Sequence, residues 1–331
     1  MSPRVTAIHP RCAIEGGRIT IEGSGFPVDG PALPEVRVGD QPARLVYASS
    51  TQLAAIVPPG LEGGRAPVRV AGASDETWLS VDIAGALATG LHQVDNPIFD
   101  RDNNLYVTYS GTRGQQVPVS IFRVRPNGTR EPFSSGIVNP TSLAIDPQNR
   151  LHVSSRFEGA VYRVSRDGEA VPFAHDLGVA CGLAFSHDGT LFVGDRSGTI
   201  FKVDADGRAE VFASLPPSVA AFHLAFGRDD ALYVSGPTLS SCDHLYRIAP
   251  DGTVTTESAR FGRPQGLAMD GGGTLFVVEA LAGSSGLYKL RPGSAPELVL
   301  SGPGLVGVAF DAAGHIVVAS NDTAYRLSRS A

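Results

Sequence analysis

GLAFSHDGTLFV, residues 182–193, is a short apolar run, an Asp-Gly turn and a second apolar run. That order is the signature of two antiparallel strands joined by a tight turn. The pattern recurs as NPIFDRDNNLYV at 96, SLAIDPQNRLHV at 142, HLAFGRDDALYV at 223, GLAMDGGGTLFV at 266 and GVAFDAAGHIVV at 307, with spacings of 46, 40, 41, 43 and 41 residues. Each copy leads into a third apolar run, such as VYRVSRDG or IFKVDADG, and a fourth, such as VPFAHDL or EVFASL. Four strands per ~40 residues make one propeller blade. Six copies predict an all-β chain with a six-bladed β-propeller over residues 84–331. The sixth copy reaches only its third strand, TAYRLS at 323–328. LATGLHQV at 87–94 looks like VPFAHDLGV and is expected to supply the missing outer strand, removing the open edge of the ring.

Composition agrees with this architecture and excludes others. The 331 residues include 39 Gly and 24 Pro, too many for long helices, and 42% are hydrophobic, enough to bury sizeable cores. A formal charge of -6 and the lack of any Lys/Arg run argue against a nucleic-acid partner. No stretch approaches the ~20 apolar residues that cross a bilayer, so membrane insertion is not expected. The start, MSPRVTAIHP, lacks a basic region followed by an apolar one. The chain as given reads as cytoplasmic, or as secreted or periplasmic where a signal peptide has been removed. Its three cysteines, Cys12, Cys181 and Cys242, are too scattered for a disulfide framework or a zinc knot.

Residues 1–83 follow a different rule. Short alternating runs, RITIEG, EVRVG, ARLVY, LAAIV and VRVAG, read as strands of a small antiparallel sandwich. GGRITIEGSGF at 16–26 and VRVGDQPARLVYASSTQLAAIVPPGLEGGRAPVRV at 36–70 resemble the immunoglobulin-like IPT/TIG family. The resemblance implies a spacer or an interaction module, with a protein partner as its implied ligand and no chemistry of its own. A short linker, VDIAGA at 81–86, is expected to join it to the propeller.

Ligands of a propeller bind where the loops entering the inner strands and those following the second strands surround the channel mouth. The residues just before the inner strands are Asp95, Thr141, Cys181, Phe222, Gln265 and Val306. One step further stand Asn96, Ser142, Gly182, His223, Gly266 and Gly307, so His223 projects among small neighbours. The second strands lead into Tyr109, Ser155 and Arg156, Asp195 and Arg196, Glu279, and Ser320 and Asn321. Arg156 and Arg196, in matching positions of adjacent repeats, either clamp an anionic ligand through their planar forks or pair with the neighbouring Glu158 and Asp195. Cys181 is either a packed rim thiol or part of a site. No nucleophile elbow or phosphate loop is present; GGG at 271–273 lacks a following lysine and helix.

The propeller resembles the SMP-30/gluconolactonase/luciferin-regenerating superfamily and the NHL propellers over all its repeats. VDNPIFD at 94–100 is similar to the superfamily's acid-Gly-Pro-x-Trp-Asp stretch, which implies a metal-ligand role for Asp95. The superfamily's asparagine and aspartate ligands fall on Cys181 and Gln265. A hard oxygen cage is thereby lost, and a mixed set of Asp95, Cys181 and His223 would suit a softer divalent ion.

Two functions follow. In the first, a divalent metal held by Asp95, Cys181 and His223 assists hydrolysis of a lactone or small ester. Glu279 or His223 then acts as acid or base, and Arg156, Arg196, Gln265, Tyr109 and Asn321 hold a small-molecule substrate. In the second, the propeller is a non-catalytic, NHL-like binding platform.

Overall fold

A computed structural model of the chain describes residues 3–30, 32–73 and 79–327, which form 32 strands and no helix. Five repeats fold as expected into separate four-stranded antiparallel sheets, each running from an inner strand to an outer one. Their inner strands are Ile98–Phe99, Pro140–Ile145, Ala180–Phe185, His223–Phe226 and Leu305–Phe310. The Asp-containing turns hold because the aspartate accepts backbone N–H groups across its own turn. Asp146 takes those of Gln148 and Arg150, and Asp270 those of Gly272 and Thr274.

Apolar clusters fill the space between successive sheets. Ile137, Leu143 and Val153 pack with Tyr106 and Ile121 of the first repeat. Phe222, Leu224 and Val234 of the fourth pack with Phe192 and Ile200 of the third. Leu91 and Val107 pack with Val317 and Ala324, joining the first repeat to the sixth. The inner strands touch one another in sequence, and that of the first also touches that of the sixth. This is a propeller.

The fifth repeat departs from the expectation of a free-standing blade. Its strands, Pro264–Met269, Leu275–Glu279, Gly286–Leu290 and Glu297–Ser301, form one end of a twelve-stranded sheet. The join is the two-residue strand Cys12–Ala13, which pairs in parallel with Leu79–Ile83 on one side and Glu297–Ser301 on the other. Two strand edges that would otherwise face solvent are thereby satisfied. The rest of the large sheet belongs to the immunoglobulin-like sandwich. Gln41–Ala48 passes from one of its layers to the other, and Ile19, Ile21, Leu53, Val68 and Val81 fill its core.

Ring closure follows the expected logic with shifted bounds. The outer strand of the sixth sheet is Gly85–Ala88, pairing with Ala324–Leu327; Ser328 lies outside the described residues. Beyond it, Leu91 and Gln93 donate their N–H groups to the carbonyls of Asp322 and Asn321. The short linker expected around 81–86 is a single residue, Ala84, between the last sandwich strand and the closing strand, and its N–H bonds to the Ala13 carbonyl. Among the described residues no helix is long and apolar enough to cross a membrane.

Candidate functional site at the channel mouth

The inner strands leave a central channel of about 340 Å³ with Asp95 and Asn96 among its lining residues. Four of the ring residues sit where an inner strand bulges. The register against the second strand slips around Thr141, Cys181, Gln265 and Val306. A bulge inserts an unpaired residue and re-aims its side chain, so these positions are set apart by backbone geometry.

Asp95 and His223 come from opposite sides of the ring and meet across it. The His223 ring bonds through Nδ1 to Asp95 Oδ1, which also accepts the Asn96 N–H at 2.6 Å. Both side chains are buried. With the carboxylate accepting, Nδ1 is the donor of this bond. Nε2 is buried and has no partner. Asn96 ties down the neighbouring strands, donating to Leu267 O at 2.9 Å and accepting from Val308 N at 2.9 Å.

Cys181 is 2% exposed, and burial pushes its thiol up to about 12, against the opposing pull of Arg156 and Arg196. It is a neutral thiol. Of the expected metal ligands, Asp95 Oδ1 is already engaged by the His223 ring, and Cys181 is buried with its thiol pushed up by desolvation. No group of three or more His, Cys, Asp or Glu side chains able to hold a metal occurs among the described residues.

Glu279, expected as an acid or base, is engaged by backbone. Its carboxylate accepts the N–H groups of Gly262 at 2.6 Å, Arg263 at 2.8 Å and Leu281 at 2.7 Å, so its oxygens are committed to holding two loops together. Asn321 has a similar structural duty, donating to Gln93 O at 2.9 Å within the closure. Gln265 is buried at its bulge, with its carbonyl accepting from Ser235 Oγ. Tyr109 keeps an exposed ring, edge-on to His92 and Phe122.

The arginines carry the site. Neither finds the acid expected beside it: Glu158 accepts from the Tyr162 hydroxyl at 3.0 Å, and Asp195 from Val179 N at 2.7 Å and from Ser197 Oγ. Arg156 is half-buried and is held below the usual guanidinium range first by burial. The positive charges of Arg196 and Arg113 lower it further. His92 is lowered as well, by burial and then by Arg156. Arg113 and His92 were not legible as site residues. The signal for Arg113 was the 46-residue first spacing, which betrays a longer loop after the second strand of that repeat.

The fold is that of a β-propeller with an immunoglobulin-like module. Residues 3–83 match the IPT/TIG domain family. Among curated proteins none matches the chain in sequence. Solved structures similar to the propeller include a gluconolactonase from Xanthomonas campestris, 18% identical, with a TM-score of 0.59 over 90% of this chain and 98% of that one. Virginiamycin B lyase from Staphylococcus aureus is 13% identical, with a TM-score of 0.52 over 73% and 97%. An auxiliary nutrient binding protein from Bacteroides thetaiotaomicron is similar over almost the full length of both chains, 98% and 97%, at 12% identity and a TM-score of 0.58. At these identities the shared property is the fold.

Proposed function

We propose that the chain is a six-bladed propeller of the gluconolactonase type whose top-face mouth binds a small organic anion, with residues 1–83 as a rigidly joined spacer or docking module. The count of six takes the fifth repeat as a blade despite its continuity with the sandwich. In support, its Val278, Leu287 and Leu300 pack against Leu305, Val308 and Val318 of the sixth repeat as in other neighbouring pairs. The observation that carries the function is that Glu158 and Asp195, the acids next to Arg156 and Arg196, are spent on other donors, and neither arginine forms a salt bridge among the described residues. Arg156 is half-buried and Arg196 exposed, and a guanidinium left without an acid is a fork open to a carboxylate or phosphate.

A catalytic reading has one observation in its favour, the buried and unpartnered Nε2 of His223. In that reading the imidazole takes a proton from water or substrate, and Asp95 steadies the resulting charge without a metal.

One titration series tests both. Benzoate is expected to bind with a Kd in the micromolar to millimolar range (about 4–8 kcal/mol). Binding should survive EDTA and weaken about tenfold or more in Arg156→Gln and in Arg196→Gln. Binding indifferent to both substitutions would refute the anion site. Lactone turnover that survives EDTA and vanishes in His223→Gln would establish catalysis, and metal-dependent turnover would restore the metal-assisted hydrolase.

A further inference from the structure

The third strand of each repeat carries a basic residue at the same register position. Arg123, Arg163, Lys202, Arg247, Lys289 and Arg326 lie directly opposite Tyr106, His152, Phe192, Tyr233, Phe276 and Val317 of the second strands. Directly opposite residues send their side chains to the same face of a sheet. Five of these bases are engaged. Arg123 pairs with Glu131 at 2.6 Å and lies over the Phe133 ring, Arg247 pairs with Asp229 at 2.7 Å, and Arg326 pairs with Asp311. Arg163 and Lys289 lie over the rings of Phe173 and Phe276, at 5.9 and 5.6 Å. Lys202 is half-buried and makes no hydrogen bond, ion pair or ring contact among the described residues.

Lys202 borders a cavity of about 550 Å³ between the third and fourth repeats. Its apolar wall holds Phe192, Phe212 and Phe226, whose rings meet edge-on with centres 5.0 and 5.1 Å from that of Phe192. Two acids also line it. Asp230 is engaged by His187 of the neighbouring turn at 2.7 Å. Asp188 accepts from Ser186 Oγ at 2.5 Å and Thr190 N at 3.1 Å through Oδ1, and its Oδ2 has no partner among the described residues. Ser186, Asp188 and Thr190 precede the second strand, Leu191–Asp195, whereas the channel mouth lies beyond its end. The cavity is therefore on the face away from the mouth and shares no residue with it.

We propose that this cavity binds a free aromatic amino acid, with the three phenylalanine rings around its side chain, Lys202 on its carboxylate and Asp188 on its ammonium group. The volume falls in the range of small-molecule sites, which pair an apolar wall with a few placed polar groups. Rings already in edge-on contact offer faces and edges to a further ring. An uncharged aromatic would leave the Lys202 ammonium and the Asp188 carboxylate bordering a partly dry cavity without partners, at a cost in desolvation. A simple acid answers the lysine and not the aspartate, and a simple amine the reverse. A zwitterion answers both with charge-assisted hydrogen bonds.

Calorimetric titration of the full chain at neutral pH with L-phenylalanine, 3-phenylpropanoate and 2-phenylethylamine tests the assignment. An Arg156→Gln, Arg196→Gln background keeps the mouth from contributing. L-phenylalanine is expected to bind with a Kd in the micromolar to millimolar range, about tenfold or more tighter than either analogue. Lys202→Met should bring it down to the level of 2-phenylethylamine, with the melting temperature unchanged, and Asp188→Asn to the level of 3-phenylpropanoate. Lys202→Arg should retain it within about threefold. An analogue that binds as tightly as L-phenylalanine overturns the assignment, as does L-phenylalanine binding that Lys202→Met leaves within about threefold, or no binding of all three. Failure of benzoate to bind the unsubstituted mouth would count against the proposed function and leave this inference standing.

Discussion

Single residues in this protein owe their properties to neighbours that no local stretch of chain reveals. His152 is the plainest case. It stands between the rings of Phe173 and Phe185, 5.2 and 4.9 Å away, and burial lowers it from 6.5 to about 4, with Asp146 opposing. The unfolded chain takes up a proton below pH 6.5, whereas the folded chain resists until about 4. The neutral form's contribution is therefore complete above 6.5 and is lost as pH falls through that window, a loss of about 3 kcal/mol at the lower end. Urea midpoints measured from pH 7 to 4 should fall more steeply for the wild type than for His152→Phe. Parallel slopes would show that His152 titrates normally. The question posed by Cys181 has its answer at the same scale. It is a packed, protonated thiol that leaves the neighbouring arginines unneutralised.

At the scale of elements, the loops of the mouth are held by side chains at the ends of second strands. Glu279 gathers three backbone N–H groups from two loops, and Asp195 does the same with Val179 N and Ser197 Oγ. Glu279 looked catalytic in the sequence because a carboxylate at a strand end near a channel is equally suited to either task. Glu279→Ala leaves three donors without their acceptor, and the expected cost is about 2–4 kcal/mol, read from chemical denaturation. Binding of benzoate at 25 °C should change less than about threefold, since Glu279 is not a ligand of the anion. A stability change under about 0.5 kcal/mol would refute the stapling role. The inner-strand bulges also act here. They decide that Cys181 and Gln265 stand apart from the ladder, and a pattern of apolar residues carries no record of a one-residue slip.

For the whole molecule, the decisive element is two residues long. Cys12–Ala13 lies between the last sandwich strand and the outer strand of the fifth repeat, and Ile14 enters the apolar cluster shared by the fifth and sixth repeats. Gly85–Ala88 then closes the ring one residue after the sandwich ends. Sandwich and propeller are thus joined twice, by continuous sheet and by the closure. Calorimetry of the intact chain should show one cooperative transition. Removing residues 1–83 should lower the propeller's melting temperature by more than about 5 °C or cause aggregation, because it exposes the edge of Glu297–Ser301 and part of a core. Two resolved transitions in the intact chain would show that the units are energetically separate.

Much of the architecture was legible in the chain itself. Hairpins repeating every 40 to 46 residues dictate stacked four-stranded units, and a copy short of one strand dictates closure from elsewhere. Both are local patterns, written in alternation and turn residues, and local patterns survive in one dimension. Which mouth residues were positioned for a ligand was legible only as a list. Tertiary structure divided that list: it set Asp95 against His223 across the channel, spent Glu279 and Asn321 on loops, and left Arg156 and Arg196 without acids. A side chain is free for a ligand only when every nearby donor and acceptor is otherwise engaged, and that balance exists only once distant parts of the chain have met.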